Sequence, residues 1–250
     1  MSKSKLLKGF CALVTGAGRR LGAYMARRLA EEGADVIIHY HSAELEAAAT
    51  LKACLKNGVK ACLLKADLSD RKQARELVHR AQALLGQPNI LVNSASIFPT
   101  DTLASLDWES LTANLNLNAY APLLLCLEFA RELEDGVIIN ILDTRITQFD
   151  RQHASYHLSK LVLAHLSREL ALELAPRVRV NAVAPGLILP PPGKGQDYLE
   201  ALAAELPLKR SGSPEDVAQA ALFLITSRFI TGQFIFVDGG QRLKGDVYGW

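Results

Sequence analysis

Residues 11–22, CALVTGAGRRLG, lead from a strand of apolar residues through a glycine-rich turn into the start of a helix. The small residues of the turn let backbone N–H groups and the helix N-terminus approach a pyrophosphate group closely. A glycine-rich turn alone is weak support for such a site, but this one follows the first strand of a strand–helix–strand unit. The segment therefore predicts a dinucleotide-binding α/β fold.

Strands and helices alternate over the whole chain. Apolar runs of strand length, rich in β-branched residues, predict strands at 10–15, 35–40, 59–64, 89–93, 136–142, 178–184 and 233–237. Helical periodicity predicts helices at 21–32, 43–56, 70–85, 107–131, 153–175 and 214–226. Such alternation predicts a parallel sheet covered by helices on both faces. No repeat or linker divides the chain, so we expect a single domain over 1–250.

The composition narrows the class of protein. Of the 250 residues, 49% are apolar and 22% are charged, and the formal net charge is +2. These values are typical of a soluble globular protein with one large core, and they argue against nucleic acid as a partner. The chain has no apolar run long enough to span a membrane and no signal-peptide core before the first strand, so no membrane association is expected.

The four cysteines, Cys11, Cys54, Cys62 and Cys126, are predicted to be small buried residues. They form no CxxC pair and no other metal-binding spacing, so no metal site is expected. This cysteine usage fits a reducing cytoplasm.

The stretch APGLILPPPGKGQDY at 184–198 interrupts the regular pattern, because three consecutive prolines and two glycines after them forbid a regular helix. It follows a strand at the carboxyl edge of the sheet, where ligands bind in open α/β folds. We predict a substrate loop with a short helix at 197–205, together spanning about 184–206. A passive connector is the alternative.

The end of the second predicted strand bears on the choice of cofactor. A site for NAD usually places an Asp or Glu there to bind the ribose 2′-hydroxyl. This chain has no acid at that position and instead carries His39, Tyr40, His41 and Ser42. Hydroxyl and imidazole groups can donate hydrogen bonds to a 2′-phosphate, and Arg19 in the turn is a further candidate. The pattern favours NADPH/NADP+; a solvated strand end is the alternative for the histidines.

A candidate proton donor lies in the predicted helix at 153–175. Tyr156 and Lys160 are four residues apart and share one helix face, and Asp143 lies thirteen residues before the tyrosine. A phenol with its ordinary pKa of about 10 is a weak acid at neutral pH. The lysine charge is predicted to lower the pKa of Tyr156 and so make it a usable general acid. An amphipathic helix with chance spacing is the alternative.

Seven short motifs follow one another along the chain at a characteristic spacing. They are TGAGRRLG at the turn, ADLSD at 66–70, NSAS at 93–96, NLNLNAYAP around Asn118, YHLSK at 156–160, NAVAPG at 181–186 and ITGQFIFVDGG at 230–240. In these motifs the chain resembles the short-chain dehydrogenase/reductase family over essentially its whole length. The resemblance implies a doubly wound, Rossmann-type parallel sheet of seven strands and hydride transfer with a nicotinamide cofactor.

The resemblance also implies roles for individual residues. Asn118 would help to hold a proton-relay water near Lys160, and Lys160 would bind the nicotinamide ribose. Asp67 would meet the adenine, and Asn93 would support the adjacent loop. The further cofactor-binding residues that the resemblance implies are Gly16, Arg20, Leu21, Leu68, Ala95, Ser96, Tyr156, Pro185 and Gly186.

Two departures from the family pattern point to one of its branches. The family normally has glycine at the position of Arg20, and its catalytic serine at the position of Asp143. Together with Ser96 and Phe98 in NSASIFPT, these departures resemble the pteridine reductase branch, which includes the dihydromonapterin reductases. The HYHS segment resembles that branch too, although the usual arginine after its second histidine is absent.

These residues suit a flat, donor-rich pterin ring. Phe98 can stack on one face of the ring while the nicotinamide covers the other. Asp143 can accept hydrogen bonds from the amino and ring N–H groups, and the planar Arg20 cation can bridge the pyrophosphate and the polar pterin edge. With Ser96 and Tyr156 they form the predicted substrate site. A core position for Phe98 and a solvated turn for Arg20 are the alternatives.

The leading hypothesis is therefore NADPH-dependent reduction of a dihydropterin, such as dihydrobiopterin, dihydromonapterin or dihydrofolate. Tyr156 would donate the proton, and Asp143 would orient the pterin and share in the protonation. Two alternatives stay open: a carbonyl reductase of another small substrate, and an NADP-binding regulatory protein without catalysis. The intact Asn118, Tyr156 and Lys160 argue against the regulatory protein.

The family usually forms dimers and tetramers through two long helices and the C-terminal segment, so the resemblance implies a homotetramer. The predicted helices at 107–131 and 153–175 are apolar on more than one face, which agrees with burial beyond the sheet. Core packing alone is the alternative. The tail KGDVYGW, with Tyr248 and Trp250, is expected either to dock on a neighbouring subunit or to fray.

Overall fold

The computed structural model of the protein describes residues 5–131, 133–191 and 193–243. Within these ranges seven strands form one sheet: β1 (Cys11–Val14), β2 (Asp35–Tyr40), β3 (Ala61–Lys65), β4 (Ile90–Asn93), β5 (Gly136–Ile141), β6 (Val178–Pro185) and β7 (Phe234–Val237). Their order in the sheet is β3-β2-β1-β4-β5-β6-β7, and every neighbouring pair is parallel. The predicted doubly wound sheet of seven strands is thereby confirmed.

Helices connect the strands in the described part of the chain. They are α1 (Arg20–Glu31), α2 (Glu44–Leu55), α3 (Arg71–Leu85), α4 (Trp108–Leu115), α5 (Ala121–Ala130), α6 (Ala154–Glu173), α7 (Gln196–Ala203) and α8 (Pro214–Thr226). Two short 3₁₀ turns, at Thr144–Thr147 and Gln241–Leu243, and one π turn, at Asn116–Tyr120, complete the helical elements. The short helix predicted after the proline-rich stretch is α7.

Alternate strand residues pack against helices on opposite faces of the sheet. Val14 and Ile38 belong to a core that includes α1 and α8, whereas Leu13 and Ile37 belong to a core that includes α3, α5 and α6. All four of these side chains are completely buried. Burial on both faces explains the nearly continuous apolar runs from which the strands are predicted.

The long helix predicted at 107–131 is not regular, because the π turn separates α4 from α5. A π turn widens the helix locally and is frequent at functional sites. Asn118 lies in this turn, is completely buried, and exchanges two hydrogen bonds with the backbone of Ile97. Hydrophobic periodicity does not reveal the widening, because the contact joins residues that are 21 positions apart in the chain.

The cysteines are free thiols. Cys54 and Cys126 are buried, whereas Cys11 and Cys62 in β1 and β3 are half-buried. Burial raises the pKa of the Cys126 thiol to about 12, as expected for an inert packing residue.

Two further expectations concern the membrane and the chain end. None of the helices in the described ranges has both the length and the apolar character needed to cross a membrane. The tail residues Tyr248 and Trp250 lie outside the described residues.

Candidate active site

Three predicted catalytic residues and one predicted substrate-binding residue, Phe98, meet at the carboxyl ends of β4 and β5, beside the start of α6. Asp143 follows β5, Tyr156 and Lys160 lie in α6, and Phe98 lies in the segment after β4. Parallel strands bring their carboxyl ends to one edge of the sheet, which is the usual ligand-binding edge of open α/β folds.

Tyr156 and Asp143 are in direct contact. The tyrosine hydroxyl donates a hydrogen bond to Oδ2 of Asp143 over 3.0 Å, and Oδ1 accepts the backbone N–H of Arg145 at 2.8 Å. Tyr156 is only 7% exposed. Its burial, together with the negative charge of Asp143, raises the pKa of the phenol well above its ordinary value. The phenol therefore keeps its proton at neutral pH, and it is a weaker acid than an ordinary tyrosine.

The predicted lowering of the Tyr156 pKa by Lys160 is wrong. The Nζ atom of Lys160 lies 5.6 Å from the centre of the tyrosine ring and donates a hydrogen bond to the backbone oxygen of Ile141 at 2.8 Å. Lys160 is 3% exposed, and burial lowers its own pKa to about 8. The helix spacing does place the two residues side by side. Desolvation and the Asp143 charge nevertheless dominate, because both act directly on the phenol.

Asn118 joins the segment after β4 to α6. Its Oδ1 accepts the backbone N–H of Ile97, and its Nδ2 donates to the backbone oxygen of Ile97, each at 3.0 Å. Nδ2 also lies 3.0 Å from Oγ of Ser159 in α6. These contacts make the carboxamide a positioning group. The relay water that the resemblance implies near Lys160 stays a prediction.

Phe98 is not a core residue, so that alternative is wrong. It is 40% exposed. Its ring meets the ring of Tyr156 edge-on, with 4.6 Å between centroids, and stacks on the ring of His153 at 4.0 Å. The aromatic ring therefore exposes part of its surface next to the ring of Tyr156, as expected of a residue that contacts a flat substrate.

Three residues of this site, Arg145, Asp150 and His153, are not indicated by any motif in the sequence. Arg145 lies over the Phe98 ring, with Cζ 5.2 Å from the centroid, and its Nη1 donates to Oδ2 of Asp150 at 2.8 Å. Asp150 also contacts Nδ1 of His153 at 3.1 Å. Against the opposing effect of burial, the Gln152 N–H and the Arg145 charge hold the pKa of Asp150 below its ordinary value. The one signal in the sequence is that His153 lies three residues before Tyr156, immediately ahead of α6.

The glycine-rich turn leads from β1 into α1. Gly16 has a φ of +64°, and a Cβ there would lie 2.8 Å from Cα of Ala95, so glycine is required. Arg20 also has a positive φ, +56°, which explains why the family favours glycine at this position. The Arg20 guanidinium donates to the backbone oxygen of Pro190 at 2.7 Å. Arg20 thus links the turn to the predicted substrate loop, and its contacts with pyrophosphate and pterin stay a prediction.

His39 is not an exposed donor, so its predicted contact with a 2′-phosphate is wrong. It is 2% exposed; its Nδ1 accepts the backbone N–H of Gly16, and its Nε2 contacts the backbone oxygen of Ala66, each at 3.1 Å. Burial lowers the pKa of this imidazole to about 4. A neutral His39 therefore holds the glycine-rich turn against β2 and the segment after β3.

Other predicted cofactor-binding side chains lie at this end of β2, and they differ in their exposure. Tyr40 is largely buried in the core, whereas His41 and Ser42 are exposed, as is Arg19 in the turn. Nε2 of His41 lies 3.8 Å from Oδ2 of Asp67. The residues predicted to bind the phosphate and the adenine are thus neighbours in the folded chain.

The burial of His39 predicts a pH dependence of stability. The pKa of this histidine is about 4 in the folded protein and 6.5 ordinarily, so between these values the unfolded chain binds more protons. We expect the free energy of unfolding to decrease by roughly 3 kcal/mol from this residue as the pH falls from 6.5 through 4. Urea unfolding of His39→Gln, which cannot titrate, should show a flatter profile over this range.

The exposed His165 in α6 provides the control for that experiment. His165→Gln should keep the pH profile of the wild-type protein, because this side chain is largely in solvent. If the free energy of unfolding depended on pH in the same way in the wild-type protein and in His39→Gln, the role given to His39 would be contradicted.

The remaining predicted cofactor residues lie along the same edge of the sheet. Asn93, which ends β4, is buried and donates through Nδ2 to Oδ1 of Asn140 in β5 at 2.8 Å. The others follow their strands or begin α1, namely Leu21 and Leu68, Ala95 and the exposed Ser96, and Pro185 and Gly186 at the end of β6. Their contacts with a cofactor stay predictions.

Known proteins resemble this chain over most of its length. A family profile described as enoyl-(acyl carrier protein) reductase matches residues 16–242. An uncharacterized oxidoreductase of Methylorubrum extorquens is 36% identical over 245 residues, which cover 94% of this chain and 99% of the relative. The 3beta-hydroxysteroid dehydrogenase 1 of Eggerthella lenta is 35% identical over 249 residues, which cover 95% of both chains.

A solved structure has the same architecture. It is that of FolM alternative dihydrofolate reductase 1 from Brucella canis complexed with NADP, which has a TM-score of 0.92 and 33% sequence identity. The similarity covers 98% of this chain and 99% of that one. On the profile match and these full-length relatives, the chain belongs to the short-chain dehydrogenase/reductase family of oxidoreductases.

Proposed function

We propose that the protein is an NADPH-dependent reductase of a dihydropterin. One observation carries the proposal: the Asp143 carboxylate, the Tyr156 hydroxyl and the exposed Phe98 ring lie together at the ligand-binding edge of the sheet. A carboxylate suits the amino and ring N–H donors of a pterin better than the serine usual in the family. The similarity to a dihydrofolate reductase structure supports the same class of substrate.

The chemistry of the glycine-rich turn fits NADPH. Helix α1 begins without a side-chain cap and without an acid in its first turn, so its N-terminal N–H groups are available to a pyrophosphate. The exposed Arg19, His41 and Ser42 offer donors for a 2′-phosphate. When bound, NADPH supplies the hydride. The complex of the Brucella canis protein with NADP supports this choice.

In the proposed reaction, the carbon of a ring C=N bond takes up the hydride and the nitrogen takes up a proton, which converts the dihydropterin into a tetrahydropterin. Tyr156 holds the proton, because its raised pKa keeps the phenol protonated. Asp143 accepts hydrogen bonds from the amino and ring N–H groups of the pterin and takes part in the protonation. Lys160 binds the nicotinamide ribose, and Asn118 holds the segment that carries Phe98.

A carbonyl reductase of another small substrate is the second candidate. The 35% identity to a hydroxysteroid dehydrogenase favours it. In that case Asp143 would be a tolerated substitution rather than a substrate contact. An NADP-binding regulatory protein is less favoured, because Tyr156 and Lys160 are both present and adjacent.

A substrate panel separates the three functions. NADPH oxidation should be followed with dihydrobiopterin, dihydromonapterin, dihydrofolate and simple ketones, beside a fluorescence titration of NADPH binding. Turnover of a pterin supports the reductase that we propose. Turnover of ketones alone supports the second candidate, and binding without any turnover supports the regulatory protein.

NADPH is expected to give a far higher kcat/KM than NADH. Ser42→Asp places a negative charge at the exposed end of β2. It should weaken NADPH binding by roughly tenfold or more, because the carboxylate repels a 2′-phosphate. The neutral variant Ser42→Thr keeps the hydroxyl and should bind NADPH like the wild-type protein. Equal use of NADPH and NADH by the wild-type protein would refute the preference.

We also propose a homotetramer. Large apolar side chains are exposed on the helices from which the family builds its interfaces, namely Trp108 in α4, Tyr120 in the π turn, Leu127 in α5, and Leu161 and Leu172 in α6. Their exposure argues against core packing as the sole reason for the apolar helix faces. Light scattering after size-exclusion chromatography measures the oligomeric state directly.

A further inference from the structure

A cluster of four side chains lies beside the proposed proton donor. This His153 cluster consists of Phe98, Arg145, Asp150 and His153. The imidazole of His153 stacks on the Phe98 ring with 4.0 Å between centroids and 16° between planes. The same Phe98 ring meets Tyr156 edge-on at 4.6 Å, with 89° between planes. One face of Phe98 thus rests on His153, and the ring of Tyr156 stands perpendicular to the same Phe98 ring.

Asp150 fixes the orientation of the histidine. Its side chain is 9% exposed, and its Oδ2 lies 3.1 Å from Nδ1 of His153 and 2.8 Å from Nη1 of Arg145. Its Oδ1 accepts the backbone N–H of Gln152 at 2.8 Å. The Asp150 carboxylate is held by Arg145 and by the Gln152 N–H, so it restrains the imidazole ring that it contacts. The restrained imidazole in turn stacks on Phe98 and defines the plane of the Phe98 ring.

We propose that His153 is a positioning residue, which holds the Phe98 ring in the plane needed to receive a flat substrate next to Tyr156. This inference rests on the proposed pterin reductase function for its choice of substrate. His153 does not contact the reacting atoms in this role; it acts through Phe98. Loss of the imidazole should therefore reduce pterin turnover and leave NADPH binding unchanged.

The experiment is a double-mutant cycle of His153→Ala and Phe98→Ala, with kcat/KM for dihydrobiopterin and the NADPH dissociation constant as readouts. His153→Ala should lower kcat/KM by roughly 2- to 10-fold, the factor that an aromatic pair contributes. In the Phe98→Ala background it should cause no further loss. His153→Phe keeps a flat ring but loses the contact with Asp150, so it should recover part of the lost activity. The exposed-site control His165→Ala should match the wild-type protein.

Additive losses in the cycle would overturn the proposal, as would a His153→Phe variant no better than His153→Ala. If the wild-type protein reduces ketones but no pterin, the proposed function fails, and the same cycle is then measured with a ketone. If it turns over neither substrate, the cycle is measured as shifts in the urea midpoint. Additive shifts there reject the coupling between His153 and Phe98, and non-additive shifts support it.

Discussion

Tyr156→Phe is expected to lower kcat by about 10²-fold or more while NADPH still binds. The substitution removes only the hydroxyl, which donates to Asp143 at 3.0 Å, and keeps the ring that packs edge-on against Phe98. Proton delivery is therefore lost without loss of the aromatic packing. Steady-state kinetics on a dihydropterin, beside a fluorescence titration of NADPH, measures both effects.

Tyr24 provides a matched control for this variant. Its hydroxyl also donates to a carboxylate, Oε2 of Glu215, at 3.0 Å. This pair joins α1 to α8, whereas the proposed proton donor lies in α6. Tyr24→Phe should therefore keep near-native turnover. If Tyr156→Phe retained native turnover as well, Tyr156 would be excluded as the proton donor.

Asp143→Ser is expected to lower kcat/KM for the pterin by roughly 10- to 100-fold, because buried ring donors lose their carboxylate acceptor at a cost of about 1–3 kcal/mol. The serine usual in the family should therefore not restore activity toward pterins. A larger loss is expected if proton delivery suffers too, since the carboxylate also accepts the Tyr156 hydroxyl. NADPH affinity should change little.

A control variant, Asp107→Ser, and a comparison of pterin with ketone turnover test whether the effect of Asp143→Ser is specific. Asp107→Ser replaces an aspartate that caps α4 through the Ser110 N–H with another good capping residue, so it should leave turnover unchanged. Unchanged pterin turnover in Asp143→Ser would contradict the proposed role of Asp143. Improved ketone turnover in the same variant would favour the carbonyl reductase. Membership of the short-chain dehydrogenase/reductase family is independent of either result.

Much of this molecule follows from local patterns in the sequence. Apolar runs predict the strands because parallel strands are buried on both faces. The glycine-rich turn is recognisable because Gly16 takes up a backbone conformation, and a close approach to Ala95, that other residues tolerate poorly. The spacing of Tyr156 and Lys160 predicts their common helix face, since that geometry depends only on the helix itself.

Other properties depend on contacts between distant segments. The pKa of Tyr156 is raised rather than lowered because the surrounding chain excludes water from the phenol. In addition, Asp143, which follows β5, lies in hydrogen-bonding contact with the hydroxyl. His39 is a buried support of the glycine-rich turn because Gly16 and Ala66 close over it from two other segments. The stacking of His153 on Phe98 joins residues from the segment after β4 and the start of α6. Desolvation and ring packing are set by every group around a side chain, so neighbours along the chain could not predict them.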